Sequence, residues 1–248
     1  MASSNKRVAL VCDPAGYVGP ALARQFAQRG HNLVVGSPSN ELVAELKALG
    51  AEVEVVENAR NLANIESAPA LVKAGLDYYG RIDAAVAFSG DIVPGKFMDS
   101  SLEDLQKIVK GCLEGPYNFL KAAASPMIEQ RSGQIVLITS AAGARVAKGV
   151  ALYSSVRAGA THMAKNLAAE IASTGVQVNA LGTNWMDFPE FHEAVGTNDP
   201  EVRKAFEQRI PMKRMGTMEE FAAFAMAFLD GSSGFTTGQV VAYAGGWA

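Results

Sequence analysis

The feature that most constrains the fold is a regular alternation of short apolar runs with longer amphipathic stretches. Seven runs rich in Val, Ile and Ala have the composition of buried strands. Helical patterns separate them, over residues 18–30, 41–49, 62–79, 102–130, 149–173 and 217–229. The strand candidates are RVALVC, HNLVVG, AEVEVV, IDAAVAF, GQIVLIT, VQVNALG and GQVVAYA. Strand–helix alternation predicts a parallel sheet covered on both faces. We therefore predict the α/β class, with residues 1–248 forming a single-domain, doubly wound, Rossmann-like parallel sheet of about seven strands flanked by helices.

Composition limits the partners of such a domain. The net charge of −3 predicts no electrostatic binding to nucleic acid or to an anionic membrane. Two cysteines, Cys12 and Cys112, provide no disulfide framework and suit a reducing cytosol. Residues 1–5 lack the apolar core of a signal peptide. The three histidines have no ligand spacing, so we expect no metal site. These observations predict a soluble, cytoplasmic protein that acts on small molecules.

In a doubly wound sheet, ligands bind beyond the carboxyl ends of the strands. Four segments follow strands and contain Gly, Ser or Asn, and they are therefore the candidate site loops. They are CDPAGYVG, FSGDIVPG, TSAAGARVAKG and LGTNWMDFPEFHEAVGTND. The last segment is long for a connector and carries Trp185, Phe188 and Phe191, which favours an apolar pocket walled by aromatic rings.

The loop after the first strand has lost the features of a dinucleotide site. Phosphate binding at this place needs glycines, so that backbone amides can approach the pyrophosphate. Here Asp13 adds a negative charge, Pro14 has no amide hydrogen, and Tyr17 is bulky; Gly16 and Gly19 remain. The second strand ends in LVVGSPS, without an acidic residue for the ribose or an arginine for a 2′-phosphate. The loop therefore predicts no bound cofactor, with the Tyr17 ring filling nicotinamide or phosphate space.

A second set of residues predicts acid–base chemistry. Ser140 ends the strand GQIVLIT, Tyr153 follows thirteen residues later, and Arg157 lies four residues beyond. Tyr153 and Arg157 share one face of the predicted helix. A permanent cation beside a tyrosine favours its phenolate, and a serine hydroxyl can hold a substrate oxygen. The three residues form a candidate general acid–base site that acts on a hydroxyl or ether oxygen.

Over essentially its whole length the chain resembles the short-chain dehydrogenase/reductase superfamily. The resemblance is carried by the N-terminal loop, the strand-end Ser140, Tyr153, the basic Arg157 and the pair Gly245–Gly246. Within the superfamily, the patterns S-x12-Y-x3-R and T-x4-[F/Y]-x-G are those of the halohydrin dehalogenases. The chain is similar to that branch at five of six positions, with Cys12 in place of the threonine of the loop motif. It looks most similar to the G subgroup, which is associated with bulky and cyclic epoxides.

This resemblance implies a halohydrin dehalogenase, a carbon–halide lyase that needs no cofactor. Tyr153 would deprotonate a vicinal haloalcohol bound by Ser140, and the alkoxide would displace halide and close an epoxide. The reverse reaction would open the epoxide with halide, azide, cyanide or nitrite. By the same resemblance, the halide or nucleophile would be bound by Tyr17, Thr183, Asn184 and Trp185. Met186 and Phe188 would line the substrate pocket, and the chain would form a homotetramer.

Three positions depart from the expected patterns. Cys12 changes the hydrogen bonding of the loop motif. Thr183 stands where some members of the branch have proline. Cys112 corresponds to the helix asparagine of the dehydrogenase proton relay, and its presence fits the loss of that relay.

Two alternatives remain open on sequence grounds. In the first, the chain is an NAD(P)H-dependent short-chain reductase with a divergent cofactor loop, and Arg157 replaces the usual lysine. Asp13, Pro14, Tyr17 and the neutral end of the second strand argue against it. In the second, the chain is a non-catalytic Rossmann-like binding protein. The intact set of Ser140, Tyr153 and Arg157 argues against that reading.

Overall fold

The computed structural model describes residues 6–88 and 90–247. Its centre is one parallel sheet of seven strands, in the order β3-β2-β1-β4-β5-β6-β7. The chain starts in the middle of the sheet, runs to one edge, and returns to build the other half from β4 onward. The strands are β1 (Val8–Val11), β2 (Asn32–Gly36), β3 (Val53–Val56), β4 (Ala84–Ala87), β5 (Gly133–Ser140), β6 (Val176–Thr183) and β7 (Val240–Tyr243).

Helices cover both faces of the sheet, as expected for parallel strands joined by crossovers. They are α1 (Gly19–Gln28), α2 (Asn40–Ala48), α3 (Ser67–Tyr79), α4 (Leu102–Val109), α5 (Gly115–Gln130), α6 (Ala151–Ile171), α7 (Pro189–Val195), α8 (Pro200–Glu207) and α9 (Met218–Ala225). One face carries α3, α5 and α6, and the other carries α1, α2 and α9. One apolar cluster lies under each helical layer, because the strand side chains alternate between the faces of the sheet.

The predicted α/β class and the seven strands are confirmed, each strand at its expected place. The helices differ in detail. The pattern over 102–130 gives α4 and α5 joined through a π-helical turn, Lys110–Glu114. The helix predicted from residue 62 begins at Ser67, and neither α7 nor α8 was predicted. The expected lack of a signal peptide concerns residues 1–5, which lie outside the described part of the chain.

Among the described residues, no helix is long and apolar enough to cross a membrane. Both cysteines are free and buried. Burial raises the pKa of the Cys12 thiol and of the Cys112 thiol. Both side chains therefore pack as small apolar groups rather than as reactive thiolates.

Candidate active site

Ser140 is positioned by the sheet itself. It is the last residue of β5, and in the register of the parallel pair it lies opposite Thr183, the last residue of β6. Its side-chain oxygen accepts a hydrogen bond from the amide of Ala142 at 3.2 Å, which starts a short 3-10 turn, Ala141–Ala144. The hydroxyl hydrogen remains to donate to a ligand. Ser140 therefore sits at the ligand-binding edge that the sheet topology predicts.

The turn after Ser140 packs directly on α6. A Cβ atom added to Gly143 would lie 2.9 Å from the backbone nitrogen of Ala158, so only glycine permits this approach. The contact joins the turn to the same part of α6 that carries Tyr153 and Arg157. Ala142 and Tyr153 belong to one apolar cluster. The spatial grouping of Ser140, Tyr153 and Arg157 thus arises from a close turn–helix contact.

Arg157 is the most unusual member of the group because its side chain is completely buried. The guanidinium carbon lies 5.1 Å from the centroid of the Tyr153 ring and 4.9 Å from that of Phe88. Nη2 donates a hydrogen bond to the carbonyl oxygen of Gly90 at 3.3 Å. A permanent charge is therefore held between two aromatic faces, where cation–π attraction contributes and water does not screen it. Such a charge stabilises an anion that forms on a neighbouring oxygen.

Tyr17 also packs against the Phe88 ring, at a centroid distance of 4.7 Å. Its φ of 48° is in the left-handed region, which is unfavourable for a bulky residue. Three contacts hold it there. The ring packs edge-on against Phe188 at 5.0 Å, and the hydroxyl donates to Thr183 Oγ1 at 2.8 Å. Burial raises the pKa of Tyr17, so the group is a neutral phenol that serves as a hydrogen-bond donor.

The remaining polar groups of the first loop bond to one another. Asp13 Oδ1 accepts from the amides of Ala15 at 3.3 Å and Gly16 at 3.0 Å. Arg60, which follows β3, donates from Nε to the same oxygen at 2.6 Å. Asp13 and Arg60 also line a cavity of about 500 Å³ between this loop and α4. Sequence reasoning missed Arg60, Phe88 and the two lysines of α4 and the turn after it, since nothing in their spacing predicts that they share a cavity.

The structure divides the residues predicted to bind halide and substrate into two groups. Tyr17, Thr183 and Phe188 lie together beside the acid–base residues. Asn184, Trp185 and Met186 instead line a separate cavity of about 240 Å³ that reaches Tyr243 and Gly245. Met186 forms an isolated bridge with Gly216, and it belongs to the apolar cluster against which Tyr17 and Phe188 also pack. The roles predicted for these six residues in binding halide and substrate stay predictions.

The long segment after β6 carries a polar cluster that sequence reasoning also missed. The two ring nitrogens of His192 bond to Asp187 at 2.7 Å and to Thr197 at 2.8 Å. Asp187 also accepts from Arg203 of α8. These bonds fix the loop that presents the Phe188 ring to Tyr17. Residues spaced five apart in a mixed loop and helix carry no sequence signature for such a cluster.

Comparison with known proteins places the chain in a family. A family model described as enoyl-(acyl carrier protein) reductase matches residues 16–248. A 3-oxoacyl-[acyl-carrier-protein] reductase from Synechocystis is 32% identical over 99% of this chain and 98% of that protein. The chain belongs to the short-chain dehydrogenase/reductase superfamily. A second superfamily member, 3-oxoacyl-[acyl-carrier-protein] reductase FabG from Thermotoga maritima, is 29% identical over 97% of each chain.

Solved structures of the superfamily share the fold. ElxO with NADP bound superposes with a TM-score of 0.87 at 20% identity and covers 98% of both chains. Levodione reductase superposes with a TM-score of 0.86 at 24% identity and covers 98% of this chain and 97% of its own. At these identities the structures establish the architecture only.

The names of the relatives contradict the predicted halohydrin dehalogenase, with its lyase activity and its independence of a cofactor. Relatives that match almost the whole chain are reductases, so the reductase alternative replaces that prediction. The error came from the weight given to a few positions. Arg157 and Tyr17 were interpreted as marks of a separate branch, whereas similarity along the whole chain indicates reductases.

The superfamily implies a nicotinamide dinucleotide, and its fit to this site is uneven. The cavity of about 500 Å³ beside Asn61, Leu62 and Gly90 has room for the adenosine portion. The first loop, in the arrangement observed, does not fit the rest. The amides of Ala15 and Gly16 are bonded to Asp13, and the Tyr17 ring lies between Phe88 and Phe188. Binding of a whole dinucleotide requires this loop to rearrange.

Proposed function

We propose that the chain is an NAD(P)H-dependent short-chain reductase that converts a ketone into a secondary alcohol. The observation that carries the proposal is the arrangement of Tyr153 on the buried Arg157, with the Ser140 turn packed on the same helix. The 3-oxoacyl-[acyl-carrier-protein] reductases, which match the chain over nearly its full length, support the same reaction class.

Each residue of the group has a defined role in this reaction. The Ser140 hydroxyl donates a hydrogen bond to the carbonyl oxygen and fixes its position. The Tyr153 hydroxyl gives its proton to that oxygen as the alcohol forms. The charge of Arg157 stabilises the phenolate that remains. A nicotinamide dinucleotide, when bound, would supply the hydride to the carbonyl carbon, so that one hydride and one proton would account for the two hydrogens gained.

The surroundings of Tyr153 indicate the substrate class. Its neighbours in the apolar cluster are Ile108, Cys112, Ala142 and Val156, and partly buried apolar side chains of α6 and of the segment after β4 extend the cluster. A ketone with apolar substituents fits such walls better than a charged or sugar-like compound does. The 3-oxoacyl thioesters have this character, with the thioester as a second polar point.

The test is oxidation of NADPH or NADH, followed by absorbance, with a short 3-oxoacyl thioester and a cyclic diketone as substrates. We expect dinucleotide consumption with formation of the alcohol. Tyr153→Phe should lower kcat/KM by about 10²–10⁴-fold. The matched control is Tyr78→Phe, because Tyr78 is exposed on α3 and distant in the chain from Ser140 and Tyr153. The proposal fails if the folded protein oxidises neither dinucleotide with either substrate, or if Tyr153→Phe keeps full activity.

A further inference from the structure

The cavity beside the first loop has the size and charge of a site for a phosphorylated ligand. Its volume is about 500 Å³, and three cationic side chains line it, one from the segment after β3, one from α4 and one from the π-helical turn after α4. Two carboxylates also line it. The cations are Arg60, Lys107 and Lys110, and the carboxylates are Asp13 and Asp91.

One of the two carboxylates differs from the other in its partners. Asp13 Oδ1 accepts hydrogen bonds from the Ala15 and Gly16 amides and from Arg60 Nε. Amides that precede a helix after the first strand of such a sheet are the groups that bind phosphate oxygens. The two amides and the guanidinium are thus already hydrogen-bonded to a carboxylate of the chain itself. Asp91, in contrast, is exposed, and its backbone carbonyl oxygen accepts a hydrogen bond from the Cys112 thiol.

We propose that Asp13 is an internal anion that competes with the phosphates of an adenine dinucleotide for the first loop, and so sets the affinity for that ligand. The inference rests on the proposed reductase function, which requires a dinucleotide at this place. In the structure, the carboxylate takes the bonds that a phosphate would take. A dinucleotide enters only when Asp13 releases the two amides and Arg60.

Gly16 supports this interpretation independently of the hydrogen bonds. A Cβ atom at Gly16 would lie 2.6 Å from Arg60 Nη2 and 2.8 Å from Asp13 Oδ2. The ion pair therefore crosses the loop directly over Gly16 and needs the space that glycine leaves. The glycine that sequence analysis counted as a remnant of a phosphate loop is required here by the chain's own ion pair.

The charge of the cavity sets the direction of the effect. Three cations face two carboxylates, so removal of Asp13 leaves three cations and one carboxylate and frees two amide donors. Because a charged hydrogen bond contributes more than a neutral one, we expect the affinity for a diphosphate to rise by roughly tenfold to a hundredfold.

The experiment measures dissociation constants for ADP, inorganic pyrophosphate and NADPH by calorimetry at fixed ionic strength. The variants are Asp13→Ala, Asp13→Asn and, as the matched control, Asp91→Asn. The control removes one negative charge from the same cavity without freeing the loop amides. We expect Asp13→Ala to bind ADP and pyrophosphate roughly tenfold to a hundredfold more tightly, and Asp91→Asn to change them by less than about threefold. Asp13→Asn keeps an acceptor for the loop amides, so its affinity for ADP and pyrophosphate should lie between those of the other two variants.

Two results would overturn the inference. Equal gains in Asp13→Ala and Asp91→Asn would mean that only net charge matters. An unchanged or weaker affinity in both Asp13 variants, each shown by thermal melting to be folded, would mean that the carboxylate does not compete. The failure of the reductase proposal is separable, because ADP and pyrophosphate carry no nicotinamide. NADPH oxidation by the wild-type protein with no gain in ADP affinity would refute only the role of Asp13. A gain in ADP affinity without any dinucleotide oxidation would refute only the reductase.

Discussion

The turns after β5 and β1 both lie at the carboxyl edge of the sheet, but they use their polar groups differently. After β5, the turn that begins at Ser140 packs on the helix that carries Tyr153 over a buried cation, and the serine hydroxyl hydrogen remains for a ligand. After β1, the Asp13 carboxylate binds the amides of its own loop, and the Tyr17 hydroxyl binds Thr183. In the proposed function the turn after β5 acts on a bound molecule, whereas the polar groups of the turn after β1 bond to the chain itself. The position of a loop at the carboxyl edge of the sheet therefore does not reveal whether its polar groups face a ligand. Their hydrogen-bond partners must be identified one by one.

The largest expected effect concerns the cation beneath Tyr153. Arg157→Met removes a fully buried charge and replaces it with an apolar side chain of similar length. We expect kcat/KM to fall by about 10²–10⁴-fold, while the melting temperature stays level or rises, because a buried charge is costly to desolvate. Arg157→Lys is the control and should retain most activity. Wild-type activity in Arg157→Met would show that the turn after β5 works without its cation.

The next effect tests how tightly the turn after β1 is closed. A Cβ atom at Gly19 would lie 1.8 Å from the carbonyl oxygen of Asp13, so Gly19→Ala must displace the loop. We expect a loss of about 1–3 kcal/mol in the free energy of unfolding, measured in urea. In Gly159→Ala, the new Cβ would meet only Leu113 Cδ1 at 3.7 Å, inside α6. That control should gain up to about 1 kcal/mol through helix propensity. Equal changes would mean that the close approach at Gly19 is unimportant.

A smaller effect isolates the hydroxyl of Tyr17. Tyr17→Phe keeps the ring between Phe88 and Phe188 and removes the bond to Thr183 Oγ1. Thr183 still donates to the carbonyl oxygen of Thr139 at 3.3 Å. We expect the free energy of unfolding to decrease by about 0.5–1.5 kcal/mol in chemical denaturation. No change at all would indicate that ring packing alone holds Tyr17 in its left-handed conformation.

The smallest effect concerns an exposed ion pair of α9, the helix that packs against α1. The hydrogen bond from Arg214 and the backbone bond at Thr217 lower the pKa of Glu220 from 4.5 to about 2. A carboxyl whose folded-state pKa is lowered stabilises the fold above its unfolded pKa and loses that contribution as the pH falls. We expect Glu220→Gln to reduce stability by less than about 1 kcal/mol near neutral pH, because the pair is exposed. The difference from the wild type should shrink between pH 4.5 and 2. A difference that grows towards low pH would contradict this assignment.

The placement of Ser140, Tyr153 and Arg157 at the sheet edge could be predicted from sequence because it depends on local rules. A residue at the end of a buried strand reaches the carboxyl edge, and residues four apart in a helix share a face. The cavity that Asn184, Trp185 and Met186 line could not be predicted, because its other walls come from segments that are distant in the sequence. The function assigned from motif positions was wrong for a related reason. The same residues, Tyr17 and Arg157, are compatible with more than one chemistry.

The sequence alone determined the seven strands and their helices, since apolar periodicity and strand length are local properties that burial enforces. It also determined that Tyr153 and Arg157 meet. Only the tertiary structure decided what their surroundings are. The Phe88 ring that faces Arg157, the Arg60 guanidinium that binds Asp13 and the Thr183 hydroxyl that binds Tyr17 all come from distant parts of the chain. Hydrogen bonds and ion pairs act over a few ångströms of space, whatever the separation in sequence, so these partners exist only once the sheet has brought the strand ends together.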